Sequence, residues 1–104
     1  MRGCAALLAC FITSAYAAND YGLRTLNVAD GVYVFAGRTE NFSRDNGGNI
    51  VNTGFIVGSS GIIVIDTGPS RLYAEQQRAA IERVSPLPIA QVSSRGIWYF
   101  FNVP

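Results

Sequence analysis

The sequence predicts a small α+β domain in which several strands precede one helix and one further strand. Two sequence patterns predict this order of elements, and the length and composition predict a single folded domain. Runs of β-branched and aromatic residues alternate with turn-forming residues over the first half of the chain. A helical pattern with an N-terminal cap follows, and another short β-prone run comes after it. The 104 residues suffice for one domain, and 49% hydrophobic against 14% charged residues excludes a disordered polar chain.

Residues 1–17 have the features of a signal peptide. Arg2 supplies a positive start, residues 4–13 are mostly apolar, and residues 15–17 form a small-x-small cleavage pattern. The apolar run is too short for a bilayer span, which needs roughly 20 residues. We therefore expect export to the periplasm or the exterior, cleavage after Ala17, and no stable membrane span afterwards. Lipidation at Cys10 and a retained anchor are the alternatives.

The first strands of the mature chain are predicted to form a hairpin. Asp30-Gly31 is a strong tight-turn signal between the β-prone runs 26–28 and 32–35. The polar, turn-rich stretch 37–49 is predicted to be a loop, and 50–57 is predicted to be the next strand.

A turn at residues 58–61 leads into the most apolar predicted strand, 62–65. Its four residues are consecutively apolar, so we expect both faces of this strand to be covered, as in a central strand. The strand ends in Asp66-Thr67-Gly68. Ser70 is the predicted N-cap of the helix that follows.

The predicted helix covers residues 71–84, with Tyr73, Ala80, Ile81 and Val84 at helical spacing. Arg71 with Glu75 and Arg78 with Glu82 are favourable i,i+4 pairs. Residues 85–88, which include two prolines, end the helix, and 89–92 is the next predicted strand. We therefore divide the chain into a signal peptide (1–17), a domain (18–92) and a divergent aromatic tail (93–104).

The composition and the missing residue types exclude several functions. The net charge is +1 and the eight arginines are dispersed, so nothing forms the basic stripe of a nucleic-acid-binding surface. The chain has no histidine, which excludes serine catalysis through a histidine base. Its two cysteines, Cys4 and Cys10, lie in the predicted signal peptide. Among the carboxylates, Asp66 occupies the most informative place, at the end of a strand, where it either fixes the turn or serves a catalytic role.

Five stretches together resemble the opening of the metallo-β-lactamase superfamily, and they lie at residues 30–34, 40–42, 46–50, 52–58 and 62–68. The combination is most similar to exported zinc metallohydrolases associated with quinoprotein relay systems, close to the SoxH-like group. The resemblance covers roughly residues 26–92. It implies a partial αββα sandwich consisting of the N-terminal strands, the first helix and the next strand.

The resemblance also implies roles for residues at the end of the fourth predicted strand. Asp66, Thr67 and Gly68 match a motif that lies behind the metal site of the family and supports loop geometry. The zinc ligands of the family come from a His-x-His-x-Asp-His motif that is due shortly after the strand 89–92. Ser93 and the residues after it do not match that motif. We therefore assign no metal ligand, no catalytic residue and no cofactor to this chain, although zinc is implied for the full-length family.

The sequence thus predicts the N-terminal fragment of an exported zinc hydrolase that is inactive alone. A frameshift, rearrangement or truncated gene product would explain the tail. Whether the chain is itself an enzyme stays open, because a complementing C-terminal polypeptide is a possible partner. The alternative is a small secreted β-rich binding module without catalysis. Without the missing elements, we expect residues 62–65 and a sheet edge to be uncovered, and the chain to be marginally stable or to aggregate.

Overall fold

The computed structural model describes residues 20–93, which form one five-stranded mixed sheet and one helix. The elements follow the chain as β1 (Leu26–Ala29), β2 (Val32–Phe35), β3 (Thr53–Val57), β4 (Ile62–Ile65), α1 (Arg71–Val84) and β5 (Ile89–Ser93). The order of strands in the sheet is β1-β2-β3-β4-β5, so each strand pairs with its neighbour in sequence. The predicted signal peptide and the tail from Ser94 onwards lie outside the described residues.

Strands β1 to β4 form an antiparallel meander. Asp30-Gly31 connects β1 and β2, and the pairing of Asn27 with Tyr33 and of Ala29 with Val32 leaves Val28 as an extra residue in β1. Such a bulge increases the local twist of an edge strand. The predicted hairpin is therefore confirmed. The predicted strand 50–57 begins three residues late, at Thr53, and the backbone N–H of Arg38 donates to Asn49 O within the preceding loop at 2.8 Å.

Helix α1 begins and ends where its capping residues predict. The Ser70 side chain accepts a hydrogen bond from the backbone N–H of Tyr73 at 3.1 Å, which satisfies one of the free donors of the first turn. At the other end, the backbone N–H of Ser85 donates to Ile81 O at 3.1 Å. The ion pairs Arg71–Glu75 and Arg78–Glu82 are both present, at 3.0 and 3.7 Å, on exposed side chains.

The helix returns the chain so that β5 lies parallel to β4, and it packs on one face of the sheet. The hydrophobic core between the two layers contains the fully or almost fully buried side chains of Phe35, Phe55, Ile62, Val64, Ala74, Ala80 and Ile81. The ring of Phe55 stacks on Tyr33, with centroids 4.8 Å apart, and also contacts Phe35. These aromatic contacts join β2 and β3 under the helix.

The opposite face of the sheet has no covering layer within residues 20–93. Along β4 the side chains alternate, with Ile62 and Val64 buried, whereas Ile63 is 39% and Ile65 45% exposed. Our prediction that both faces of this strand are covered is therefore wrong for the described part of the chain. The strand is uncovered, as expected in the absence of further elements, at Ile63 and Ile65 only. Of the four apolar residues of β4, two lie on the face in the core and two lie on the face that has no covering layer within residues 20–93.

The predicted partial αββα sandwich is also wrong. Residues 20–93 form a small β-rich domain of two layers, a mixed sheet and a single helix. A sandwich of that kind needs a second sheet against the first, and the described residues contain one sheet only. In this part of the chain, no helix is both long enough and apolar enough to cross a membrane.

Candidate functional site

Asp66 and the two residues after it form a tight turn at the carboxyl end of β4. Asp66 has φ 62°, in the left-handed region that aspartate tolerates better than most residues. Its carboxylate Oδ1 accepts hydrogen bonds from the backbone N–H of Thr67 at 2.7 Å and of Gly68 at 3.2 Å. The carboxylate therefore fixes the turn. Of the two roles that the sequence leaves open for Asp66, this is the structural one.

The same turn joins the ends of the two parallel strands. The backbone N–H of Asp66 donates to Ser93 O, the last residue of β5, at 2.8 Å. In α/β units, loops at the carboxyl ends of parallel strands are where ligands usually bind. This edge of the sheet is therefore the natural position for a functional site.

A buried polar cluster connects this turn to helix α1 and to β3. Gln77 donates through Nε2 to Asp66 O at 3.0 Å and to Thr53 Oγ1 at 3.1 Å. The Thr53 hydroxyl also forms a hydrogen bond with the Tyr73 hydroxyl at 2.9 Å. Gln77, Tyr73 and Thr53 are all buried, and Gln77 Oε1 has no hydrogen-bond partner. The cluster thus holds the turn against the helix.

The environment of Tyr73 raises the pKa of its phenol above the ordinary value. Burial is the largest cause of this increase, and electrostatic interactions with Asp66 and Tyr21 raise the pKa further, whereas the side-chain hydrogen bond with Thr53 lowers it. A phenol with a raised pKa remains protonated at neutral pH. Tyr73 therefore acts as a hydrogen-bonding group in the cluster, and its environment disfavours the phenolate that a nucleophile or base would require.

Tyr21 links the N-terminal end of the domain to the helix start. Its ring lies edge-on to Tyr73, with centroids 5.1 Å apart and an interplanar angle of 72°. Its hydroxyl donates to Gly47 O at 3.1 Å and lies 3.0 Å from Ser70 Oγ. Because the single Tyr21 proton is used for Gly47, the Ser70 hydroxyl donates to Tyr21. The loop before β3, the helix cap and the N-terminal segment thus share one network.

Asn46 organises the loop between β2 and β3. It is 4% exposed, and its Oδ1 accepts from the backbone N–H groups of Ser43 and Gly48, each at 3.0 Å. Its Nδ2 donates to Asn41 O at 2.7 Å and to Glu40 Oε2 at 3.2 Å. Asn46 also lines a polar pocket together with Asp20, Tyr21, Arg38, Asp45, Gly47 and Asn49. The side chain therefore has no spare capacity for a ligand.

The residues present do not fit zinc. A zinc site needs three or four converging histidine, cysteine or carboxylate ligands. The whole chain has no histidine, and residues 20–93 contain no group of three or more histidine, cysteine, aspartate or glutamate side chains placed to hold a metal ion. The carboxylate of Asp66 already binds two backbone N–H groups. No zinc-dependent step is therefore derived for this chain.

The fold and the site together define a small β-rich domain whose strand-end turn is built for structural support. Comparison with protein-family models and with curated proteins found no match to this chain. The resemblance to the quinoprotein-associated zinc metallohydrolases therefore stays a prediction from the motifs.

The structure brings the three residues singled out by the sequence together in one turn, as their adjacency requires. We did not predict from the sequence the residues that hold or neighbour this turn, Tyr21, Thr53, Tyr73 and Gln77, nor Asn46, which organises the loop between β2 and β3. For Asn46 a signal was present, because asparagine next to two glycines is typical of side chains that bind their own loop backbone. The contact between Tyr21 and Tyr73 joins residues far apart in the chain and leaves no local signal.

Proposed function

We propose that this chain is a non-catalytic part of an exported hydrolase related to the zinc metallohydrolases that its sequence resembles. In this role, the turn Asp66–Gly68 supports the geometry of a site whose metal ligands come from a complementing polypeptide. The observation that carries the proposal is the hydrogen bond from Asp66 N to Ser93 O. It supports the proposal because it joins the strand-end turn to the point at which β5 ends, the edge where a second polypeptide would complete a site.

The first test uses the purified chain alone. We expect it to retain no stoichiometric zinc after dialysis against a metal-free buffer, measured by mass spectrometry of the metal content. We also expect no hydrolysis of ester, thioester or lactam substrates, because the chain lacks the residues that hold the ion. Tight, stoichiometric zinc together with hydrolysis by the chain alone would overturn the proposal.

The second test is complementation with the polypeptide encoded immediately downstream of this chain. Co-expression should produce a complex that binds zinc and hydrolyses a substrate that neither polypeptide hydrolyses alone. In that complex Asp66→Asn should retain activity, because the amide oxygen can accept the same two backbone hydrogen bonds, whereas Asp66→Ala should lose it. Absence of any complex, or equal activity of the two variants, would contradict the proposed role of this turn.

The predicted export belongs to the same proposal and has its own readout. The protein recovered from the periplasm or medium should begin at Ala18, as determined by mass spectrometry of the intact chain. Replacing Ala15 and Ala17 with glutamine should block processing, because the peptidase accepts small residues at these positions. Recovery of the unprocessed chain in the cytoplasm would argue against export.

A second candidate function is a small secreted β-rich binding module without catalysis. The uncovered sheet face favours it, since Leu26, Ile63 and Ile65 expose between 39% and 47% of their surface there. A contiguous exposed apolar surface is typical of a contact site. This candidate predicts a stable soluble protein without a complementing hydrolase subunit, and saturable binding to a partner that Ile65→Lys abolishes.

A further inference from the structure

The loop between β2 and β3 contains the only asparagine–glycine pair of the chain, Asn46-Gly47. An asparagine side chain is most open to attack by the next backbone nitrogen when glycine follows, because glycine has no Cβ to hinder the approach. The loop itself requires glycine at this position. Gly47 has φ 58°, and a Cβ added there would lie 2.9 Å from the Tyr21 hydroxyl oxygen. The turn therefore contains the one residue that makes Asn46 reactive.

The reaction in question is deamidation. The backbone nitrogen of Gly47 loses its proton to solvent and forms a bond to Asn46 Cγ, while the bond from Cγ to Nδ2 breaks and the departing nitrogen takes a proton from solvent to leave as ammonia. Water then adds to one of the two carbonyl carbons of the cyclic imide and breaks its bond to the nitrogen. Attack at Cγ produces aspartate, and attack at the main-chain carbon produces isoaspartate. The net reaction consumes water and releases ammonia.

The closed loop holds both reacting groups away from this reaction. Asn46 is 4% exposed, and its amide makes the four hydrogen bonds described above, so it is not free to rotate and present Cγ. The attacking nitrogen is also engaged, because the backbone N–H of Gly47 donates to Arg44 O at 3.3 Å. The Tyr21 hydroxyl binds Gly47 O at 3.1 Å. Deamidation therefore requires the loop to open locally.

The product does not fit the closed loop. In aspartate an oxygen takes the place of Nδ2, which donates to Asn41 O at 2.7 Å and to Glu40 Oε2 at 3.2 Å. Both partner atoms are acceptors, so two hydrogen bonds become repulsive contacts, and one of these contacts is between two carboxylates. Isoaspartate instead adds a methylene group to the main chain of a tight turn. Neither product allows the loop to close as before.

We propose that Asn46 is a site of spontaneous deamidation that is gated by opening of the loop between β2 and β3. Solvent water is the co-reactant, and the hydrogen bonds of the Asn46 amide are the gate. Because the product prevents closure, the loop accumulates an irreversible change in proportion to the time that it spends open. This inference does not rest on the proposed hydrolase relationship.

The first measurement compares the folded protein with the chain unfolded in guanidinium chloride, both incubated at neutral pH. Mass spectrometry of peptides detects the deamidated product, and chromatography separates aspartate from isoaspartate. We expect deamidation at Asn46 to be many-fold slower in the folded protein. Asn41 and Asn49 are internal references in the unfolded chain, because phenylalanine and isoleucine follow them and they should remain intact over the same period.

The variant Glu40→Ala tests the gate, because it removes one of the two acceptors of Asn46 Nδ2. The opening that exposes the amide also frees the backbone N–H of Gly48, which donates to Asn46 Oδ1. Hydrogen exchange at Gly48 and deamidation at Asn46 therefore depend on the same opening equilibrium. We expect Glu40→Ala to raise both rates several-fold and by the same factor.

The matched control is Glu75→Ala. The side chains of Glu40 and Glu75 are 52% and 57% exposed and each forms an ion pair with an arginine, but Glu75 lies on α1. This variant should leave both rates unchanged. Circular dichroism establishes that each variant retains its sheet and helix. If Glu40→Ala unfolds, Tyr21→Phe, which removes the hydrogen bond to Gly47 O, replaces it.

The consequence of the reaction is tested with the product residue itself. Asn46→Asp should lower the midpoint of unfolding in guanidinium chloride. Adding Glu40→Gln should restore part of the loss, because the glutamine amide can donate to the new carboxylate where Glu40 repels it.

Four results would overturn the proposal. The first is equal deamidation at Asn46 in the folded and unfolded chains, and the second is its absence from the unfolded chain. The third is a folded Glu40→Ala variant that does not accelerate deamidation. The fourth is an Asn46→Asp variant as stable as the wild type, because the product would then fit the closed loop.

Discussion

Gly68→Ala is expected to destabilise the domain more than an ordinary glycine replacement. Gly68 has φ 71°, and a Cβ added there would overlap the ring of Tyr73. The left-handed conformation costs a residue with a Cβ roughly 1–2 kcal/mol. Displacing a buried ring adds about 1–3 kcal/mol of overpacking, so the free energy of unfolding should fall by about 2–5 kcal/mol.

Gly22→Ala is the matched control for this prediction. Gly22 also has a positive φ, 59°, but a Cβ added there would meet nothing within 4 Å. Its replacement should therefore cost only the conformational part, roughly 1–2 kcal/mol. The difference between the two variants, about 1–3 kcal/mol, isolates the clash with Tyr73.

The assay is urea unfolding followed by far-ultraviolet circular dichroism, in a constant concentration of trimethylamine N-oxide. The osmolyte favours the folded state and keeps the less stable variant measurable. Equal losses of stability for Gly68→Ala and Gly22→Ala would refute the packing of Tyr73 against the turn. A loss at Gly22 larger than at Gly68 would have the same consequence.

Three further predictions concern the buried polar groups and the surface charges. Thr53→Val leaves the Tyr73 hydroxyl without its partner and should lower the free energy of unfolding by about 1–3 kcal/mol, more than Tyr73→Phe, as measured by urea unfolding. Because burial raises the pKa of Tyr73, the protonated phenol contributes stability below pH 10, and this contribution is lost as the pH rises through the folded-state pKa. Urea unfolding at a series of pH values from 8 upward should show this loss of stability in the wild type. The variant Tyr73→Phe, which has no phenol to ionise, should show a smaller loss. Asn46→Ala removes four side-chain hydrogen bonds and should cost about 1–3 kcal/mol, whereas Glu75→Gln, which breaks an exposed ion pair, should cost less than about 1 kcal/mol. Equal effects of these last two would contradict the assignment of Asn46 as the residue that organises its loop.

The local elements could be predicted because each has a signal within a few residues. Ser70 followed by an amphipathic run predicts the start of α1, and Asp30-Gly31 between two β-prone runs predicts the first hairpin. Helix α1 was predicted at residues 71–84, and that prediction is confirmed. These features depend on backbone conformation and capping, which neighbouring residues determine.

The covering of the sheet could not be predicted in the same way. The run 62–65 is apolar on both faces, and this pattern does not say whether the second layer belongs to the same domain. The resemblance to a larger family supplied that layer by analogy, and the expectation of an αββα sandwich failed for this reason. A short apolar strand predicts two apolar faces, but it cannot name what lies against them.

The polar cluster behind the turn was also beyond local patterns. Asp66 stood out because it follows a strand, whereas Thr53 and Gln77 look like ordinary strand and helix residues. Their roles depend on a packing geometry in which β3, the turn and α1 meet. Hydrogen bonds between residues 11 and 24 positions apart leave no periodic trace in a sequence.

The sequential order of the strands in the sheet has a consequence for how the domain assembles. Each strand from β1 to β4 can pair with the preceding one as soon as it emerges from the ribosome, because only short connections or a single loop separate them. Strand β5 must wait until the fourteen residues of α1 have formed and crossed the sheet. We therefore expect β5 to dock last in folding and to detach first in native-state hydrogen exchange, taking the Asp66–Ser93 hydrogen bond with it.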